Sequence, residues 1–476
     1  MTNFLVAANP RGGEGHRFAA ADPAAVDDAA GRLRAAHRRW AARSVEERST
    51  FLARWRNALD ERRGEIVAAL IEDTGRALLS EAEVDGALRR IDYWCGAATS
   101  VLAERSVGMS ATVPSVRFEH RLVPFELVGV VAPWNFPLLL MLIDAVPALA
   151  AGCAVLCKPS EHTPRFVEPL MDAVAAEPEI AAVFDCVRGG ADTGAAVAGV
   201  ADAVCFTGSV ATGRKVGARA GARLIPAFLE LGGKDPLVVL ADADVETAAA
   251  IALRGSVLAT GQACQSIERV YVHETLYAPF VEAIVAAASA VTLNTQQVDR
   301  GHLGPFIHPG QADLVEAQLA EAVAGGATLH CGGLQRRNGG AWCAPAVLTG
   351  VHHDMRLFAE ETFGPVVPVM AFASDDEAVR LANDSEFGLS AAVLGAEEHA
   401  LAVARRLCAG AVSVNDAGLT TQVGDVEKDS FGVSGVGRSR MGTSGLVRFL
   451  RRQALLVQTG PAAPLDAFRE VARPRP

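Results

Sequence analysis

The feature that most constrains the fold is a regular alternation of short apolar segments with longer helical ones between residues 128 and 229. The apolar segments predict strands at 128–132, 154–157, 183–187, 203–206 and 224–229. Helical patterns between them begin near Pro137, Thr163, Asp192 and Val210. Strands and helices that alternate at this spacing form right-handed βαβ units, so the sequence predicts a parallel sheet with helices on both faces.

A second alternating set follows Pro236. Its predicted strands lie at 237–240, 269–272, 366–372, 391–394 and 411–414, and its predicted helices at 245–259, 278–288, 377–383 and 400–407. Residues 27–103 have helical spacing, whereas residues 113–127 alternate with a period of two and predict a β-hairpin-like excursion. The fold class is therefore α/β, with two α/β units joined near residues 230–234.

Composition excludes several classes of protein. The net charge of −11 argues against a nucleic-acid or membrane-surface partner. Nine cysteines without a CxxC pair predict neither a disulfide framework nor a cysteine-rich metal site, and they favour a reducing compartment. Residues 138–157 are apolar enough to resemble a membrane span, but the central Asp144 costs about 3 kcal/mol to insert. We expect a buried helix and strand there and a cytoplasmic protein.

Polar and glycine-rich loops follow the predicted strands, at the edge of a parallel sheet where ligands bind. The turn Gly208 to Gly213 has a G-x4-G spacing and half-matches a phosphate-binding P-loop. Arg214 and Lys215 replace its lysine and hydroxyl residue, so a nucleoside triphosphatase fits poorly. A phosphate resting on the helix that begins after Ser209 remains reasonable, as does a simple tight turn.

Six motifs occur in an order that resembles the aldehyde dehydrogenase superfamily, in its NAD(P)-dependent hydrolytic, non-acylating form. They are PWNFP (133–137), KPSE (158–161), FTGS (206–209), ELGGK (230–234), GQAC (261–264) and EETFGPV (360–366). The resemblance covers residues 9–456, nearly the whole chain. It implies a Rossmann-like parallel-sheet cofactor domain, an α/β catalytic domain and a small β oligomerisation element.

The resemblance also implies three catalytic residues. Cys264 matches the nucleophile, although an isolated cysteine is more often a buried core residue. The side-chain amide of Asn135 and the backbone N–H of Cys264 would stabilise the oxyanion, and Glu230 would activate the water that hydrolyses the thioester. Relatives that transfer the acyl group to coenzyme A generally lack a glutamate at this position, so a free acid is the expected product.

For the cofactor, the resemblance implies NAD, with NADP also possible. Lys158 and Glu161 would hold the adenosine ribose, and a glutamate there disfavours a 2′-phosphate. The other cofactor-binding residues implied are Trp134, Gly208, Ser209, Gly213, Glu361 and Phe363.

The substrate is the least defined part of the interpretation. The expected lining residues are Phe136, Leu140, Ile143, Leu258 and Gln265, which suit a medium-sized apolar or aromatic aldehyde. SFGVSGVGR (430–438) is two residues shorter than the usual family motif and follows an unusually polar loop, 420–428.

By resemblance, residues 1–105 and 125–230 form the dinucleotide-binding domain and residues 231–450 the catalytic domain. Residues 106–124 and 451–476 form an oligomerisation element, and a homodimer or homotetramer is expected. Two alternatives stay open: a coenzyme-A-acylating dehydrogenase, and a homologue that has lost catalysis and serves a structural or binding role.

Overall fold

The computed structural model describes residues 3–103 and 107–470, and its strands fall into five sheets. The first ten strands are β1 (Phe4–Ala7), β2 (His16–Ala19), β3 (Val107–Met109), β4 (Val116–Pro124), β5 (Leu127–Val131), β6 (Ala154–Lys158), β7 (Phe184–Cys186), β8 (Ala203–Thr207), β9 (Ala227–Glu230) and β10 (Asp235–Val239). The remaining strands are β11 (Ile267–His273), β12 (Thr328–Arg337), β13 (Gly340–Thr349), β14 (Val366–Phe372), β15 (Phe387–Gly388), β16 (Ser390–Leu394), β17 (Ala411–Val414), β18 (Phe431–Gly432), β19 (Gly435–Val436) and β20 (Leu450–Gln458).

The helices pack against the faces of the larger sheets. The first nine are α1 (Pro23–Ala41), α2 (Val45–Glu61), α3 (Arg63–Thr74), α4 (Ala77–Leu102), α5 (Pro137–Ala151), α6 (Val167–Ala175), α7 (Pro178–Ala181), α8 (Ala191–Val200) and α9 (Val210–Ala222). The others are α10 (Val245–Val257), α11 (Glu274–Ser289), α12 (Pro309–Ala324), α13 (Arg356–Ala359), α14 (Asp375–Asn383), α15 (Glu397–Ala404), α16 (Leu419–Gln422) and α17 (Ser444–Val447).

The first large sheet confirms the predicted parallel arrangement. Its order is β19-β9-β8-β5-β6-β7, and every pair is parallel except the short antiparallel contact of β19 with β9. Strands β5, β6 and β8 are buried at every position, as continuous apolar runs require when helices cover both faces. The predicted strand 224–229 begins later than expected, at Ala227, because Leu224 has a left-handed backbone.

The second large sheet has the order β12-β13-β14-β11-β10-β16-β17. The sequence predicted five of its strands, β14, β11, β10, β16 and β17. It did not predict the antiparallel hairpin of β12 and β13. Strand β12 is largely exposed and mostly polar in its second half, so no apolar alternation marks it. This sheet lies within residues 235–414, whereas β20, β4 and β3 form a separate antiparallel sheet. The proposed domain division stays a prediction.

Helix α5 is the apolar segment that resembled a membrane span. It is buried along most of its length and has one charged residue, Asp144. Gly152 ends it in the left-handed conformation that glycine favours, and β6 follows directly. Across residues 3–103 and 107–470, no helix is both long and apolar enough to cross a membrane.

Candidate active site

A tight turn between α10 and β11 carries Cys264. Ala259, Thr260 and Gly261 all have positive φ angles, of 55°, 62° and 67°. Gly261 also leaves no room for a side chain, because an added Cβ would lie 2.2 Å from the carbonyl carbon of Gly364. The turn therefore packs closely against the loop before β14. This packing requires Ala259 and Thr260 to adopt strained, left-handed backbone conformations.

Hydrogen bonds of the Gln262 side chain connect this turn to neighbouring segments. Its side-chain Nε2 donates to the carbonyls of Ala259 at 3.1 Å and Pro305 at 3.2 Å, and its Oε1 accepts from Ile307 N at 2.9 Å. The backbone carbonyl of Gln262 accepts from Asn135 Nδ2 at 3.0 Å. Asn135, buried in the loop before α5, is thereby held beside the segment that carries Cys264.

Cys264 is partly exposed and does not form a disulfide. Burial of the sulfur raises the pKa of Cys264 to about 12, and the nearby Asp235 carboxylate acts in the same direction. Lys428 opposes this shift. The Nζ atom of Lys428 is buried without a hydrogen-bond partner, and burial lowers the pKa of Lys428. Burial therefore favours the thiol form of Cys264, and Lys428 acts against that preference.

Glu230 is the last residue of β9, and its backbone is paired with Gly435 of β19. Arg440 Nε lies 3.4 Å from its Oε1, and Ser430 Oγ donates to its Oε2 at 3.4 Å. About a quarter of the side chain, 23%, is exposed. Glu230 is therefore oriented from two sides while its carboxylate stays accessible.

One cavity of about 730 Å³ brings the three predicted catalytic residues together. Asn135, Glu230 and Cys264 all line it. All five residues predicted to contact substrate line it as well: Phe136, Leu140, Ile143, Leu258 and Gln265. The polar loop 420–428 contributes Thr420, Thr421, Gln422, Gly424, Asp425 and Lys428 to the same wall.

Five of the eight predicted cofactor residues lie at or just after the carboxyl ends of β6 and β8. Lys158 ends β6, and its Nζ donates to Glu161 Oε2 at 2.6 Å. Burial acts to raise the pKa of Glu161, but the Lys158 ammonium outweighs it and keeps that pKa below its ordinary value. An ionised carboxylate that can accept from hydroxyl groups is thus available beside the sheet.

Gly208 and Ser209 follow β8, and Ser209 caps the 13-residue helix α9 by accepting from Thr212 N at 3.4 Å. Gly213 lies one turn into that helix, where an added Cβ would meet Leu231 Cδ2 at 2.4 Å. The glycine allows α9 to approach the segment after β9 closely. The free N–H groups of the first turn can hold an anion.

A buried ion pair positions Glu361 and Phe363. Lys234 Nζ donates to Glu268 Oε2 at 2.7 Å, and the same carboxylate accepts from the backbone N atoms of Thr362 and Phe363, each at 2.7 Å. Glu361 Oε1 accepts from Gly233 N at 3.0 Å, and burial raises the pKa of Glu361 to about 8.

Phe363 packs edge-on against Trp134 with ring centroids 5.3 Å apart. All eight predicted cofactor residues are thus placed, in two groups: one beside β6 and β8, the other around Trp134 and Glu361.

Sequence reasoning missed Arg440, Lys428 and Glu268 as parts of this site. Arg440 and Glu268 lie outside the six motifs, and nothing local distinguishes them from other charged residues. A weak signal existed for Lys428, since the chain has only four lysines. Lys234, in contrast, lies in the motif ELGGK, and the structure shows that it forms a buried ion pair with Glu268.

Comparisons with known proteins give a consistent result. The family model described as "Aldehyde dehydrogenase family" matches residues 6–455. The solved structure of PutA from Anabaena variabilis is 46% identical, covers 97% of this chain and 99% of its own, and has a TM-score of 0.94. Chloroplastic betaine aldehyde dehydrogenase from Beta vulgaris is 35% identical over 79% of this chain and 77% of its own. A point mutant of betaine aldehyde dehydrogenase from Staphylococcus aureus, solved in complex with NAD⁺, is 28% identical, with a TM-score of 0.91 and coverage of 98% and 96%.

Proposed function

The chain belongs to the aldehyde dehydrogenase family and oxidises an aldehyde to the carboxylic acid, and we propose that Cys264, Asn135 and Glu230 perform this reaction. The observation that carries the proposal is their convergence: a thiol, an amide donor and a carboxylate from three separate segments line one cavity. Together they provide a nucleophile, an oxyanion donor and a general base.

In the first half-reaction, the Cys264 sulfur attacks the aldehyde carbon and the carbonyl oxygen becomes an oxyanion. Asn135 Nδ2 and the Cys264 backbone N–H donate to that oxyanion. A thiol with a pKa of about 12 must lose its proton as it attacks. Solvent that reaches the partly exposed Cys264 accepts that proton, which leaves Glu230 free to act in the second half-reaction. Hydride then leaves the substrate carbon, and a thioester to Cys264 remains.

In the second half-reaction, Glu230 accepts a proton from water as the water oxygen attacks the thioester carbonyl. The carbon–sulfur bond breaks, the Cys264 thiolate takes the electron pair, and the free acid departs. The accessible edge of the Glu230 carboxylate suits this role, since a water molecule has to reach it.

The cofactor we propose is NAD, with NADP as an alternative, and the residues present fit it. The oxidised nicotinamide ring, when bound, supplies the hydride acceptor. Glu161 would accept from ribose hydroxyls, and the first turn of α9 would hold the pyrophosphate. Glu361 and Phe363 would hold the nicotinamide half beside Trp134. Glu161 favours NAD by repelling a 2′-phosphate, while Lys158 offsets part of that repulsion.

The substrate we propose is a medium-sized aldehyde with an apolar or aromatic body. An apolar wall of the cavity would stabilise a hydrocarbon chain or ring buried against it. This wall consists of Phe136, Leu140, Ile143 and Leu258. The polar loop 420–428 lies across the same cavity, and a polar group on the substrate would find partners there.

We also propose a homo-oligomer and a cytoplasmic location. The sheet of β3, β4 and β20 carries exposed apolar side chains on β20, including Leu455, Leu456 and Val457. A second copy of the chain that packs on this sheet would remove that apolar surface from water.

The central experiment replaces Cys264 with Ser and measures aldehyde-dependent NADH formation together with NAD binding by calorimetry. A serine hydroxyl is a far weaker nucleophile at neutral pH, so activity should fall by more than about 1,000-fold while NAD still binds. Cys331→Ser, at another partly exposed thiol, is the matched control and should keep parental turnover. Full activity in Cys264→Ser would refute the mechanism.

Product analysis separates the remaining alternatives. The hydrolytic reaction should yield free acid at the same rate with and without coenzyme A. An acyl-coenzyme A product would instead identify the acylating reaction. No turnover with a broad panel of aldehydes, despite NAD binding, would support a homologue that has lost catalysis.

A further inference from the structure

Asp144 is a buried carboxylate in the most apolar helix of the chain. Its side chain is 1% exposed in the middle of α5. An ionised carboxylate in such a place is destabilising unless cations pair with it. Two arginines from the C-terminal region do so: Arg440 Nη2 lies 3.2 Å from Oδ2, and Arg448 Nη2 lies 2.5 Å from Oδ1.

The same Arg440 guanidinium reaches the predicted general base. Its Nη2 donates to Thr207 Oγ1 at 2.6 Å, and its Nε lies 3.4 Å from Glu230 Oε1. Asp144 and Thr207 thus both hold Nη2 of the guanidinium, and Glu230 lies beside its Nε. Arg440 is itself buried, with 9% of its side chain exposed, so it has little freedom to turn away.

A second arginine, Arg448, also pairs with Asp144. Arg448 lies over the rings of Phe228 and Phe449, at 5.0 and 4.8 Å from their centroids. The Arg448 side chain donates its hydrogen bond to Asp144. Arg440 therefore links the buried Asp144 to Glu230.

We propose that Asp144 and Arg440 form a clamp that keeps the Glu230 carboxylate aimed at the water that attacks the thioester. This inference rests on the proposed function of Glu230. Arg440 acts through Glu230 and is a positioning residue. Its Nε makes a close ion pair with Glu230 without a well-aligned hydrogen bond. The Glu230 lone pairs therefore stay available for the proton that the water releases.

The clamp predicts a selective loss of thioester hydrolysis when Arg440 is replaced. In Arg440→Met, the pre-steady-state burst of NADH should stay within about threefold of the parent, while steady-state turnover falls about 10- to 100-fold. Arg440→Lys, which retains the charge, should recover most of the turnover.

A double-variant cycle distinguishes the clamp from a general structural role. If Arg440 acts only through Glu230, adding Arg440→Met to Glu230→Gln should cause no further loss of turnover. Arg34→Met is the matched control, because Arg34 also pairs with a carboxylate, Asp202 at 2.7 Å, away from the cavity. It should reduce thermal stability without changing the ratio of burst to turnover.

Several outcomes would overturn the clamp. Parental turnover in Arg440→Met would do so, as would a multiplicative loss on top of Glu230→Gln. If Arg440→Met does not fold, Arg440→Gln, which loses the charge and keeps polar donors, takes its place, and a parental ratio of burst to turnover in that variant overturns the clamp. If Glu230→Gln itself turns over normally, the proposed role of Glu230 fails first; if Glu230→Gln stalls and Arg440→Met does not, only the clamp fails.

Discussion

Replacement of Asn135 by Ala tests the first half-reaction most directly. Asn135 is 4% exposed, and its Nδ2 is the side-chain donor held beside the Cys264 turn, bonded to Gln262 O at 3.0 Å. Removal of one oxyanion donor typically raises the barrier by about 2.7–4 kcal/mol, so hydride transfer should slow about 100- to 1,000-fold. The aldehyde KM should change much less, because the donor binds the oxyanion more strongly than the carbonyl.

The same substitution has a separate and smaller effect on stability. It removes the hydrogen bond to the buried carbonyl of Gln262, which should lower the free energy of unfolding by about 1–3 kcal/mol. The two effects can be measured apart: single-turnover NADH formation under saturating aldehyde reports the barrier, and urea unfolding reports stability. The predicted loss of rate therefore exceeds what partial unfolding would explain.

A matched control is available at Asn294. This asparagine is also buried, and its Nδ2 donates to the carbonyls of Gly75 at 2.9 Å and Val298 at 3.0 Å, outside the cavity lining. Asn294→Ala should lose stability and retain the rate of hydride transfer in the folded fraction. A loss below about tenfold in Asn135→Ala, or equal losses of rate in both variants, would refute the oxyanion role.

Two further predictions concern stability. Leu224 has φ = 57° and is 93% exposed, so Leu224→Gly should raise the free energy of unfolding by about 0.5–1 kcal/mol, since relief of the left-handed strain exceeds the entropic cost of glycine; an unchanged or lower urea midpoint would contradict this. The carboxylates of Asp242 and Asp375, at 3.0 and 2.8 Å, raise the pKa of His399 above 6.5. Stabilisation by His399 is therefore complete below pH 6.5 and is lost as the pH rises through the raised pKa. The difference in melting temperature between the parent and His399→Ala should be largest near pH 6 and shrink toward pH 9, and a difference that grows with pH would show that the histidine does not act through these ion pairs.

Sequence patterns predicted much of the scaffold because local packing requirements are strong there. Runs such as 154–157 and 203–206 are short and apolar at every position, which is typical of a strand covered on both faces. The motifs after those strands then had to meet at one edge of the sheet. The hairpin β12–β13 was missed because one of its strands faces solvent.

The clamp could not be predicted from the sequence. Asp144 and Arg440 are separated by 296 positions, and neither carries a local motif. Asp144 was visible in the sequence as a charge out of place in an apolar segment. The Asp144 carboxylate is stabilised by an ion pair with Arg440, which forms only when folding brings the C-terminal segment against α5.

The sequence by itself determined the fold class and the family, because those depend on periodicity and on short motifs, and it predicted Cys264 as the nucleophile among nine cysteines. Only the tertiary structure decided the direction of the Cys264 pKa shift, the partners of Glu230 and the enclosure of the cavity. A pKa and the orientation of a side chain depend on burial and on charges within a few ångströms. Residues far apart in the chain supply both, and folding alone brings them together.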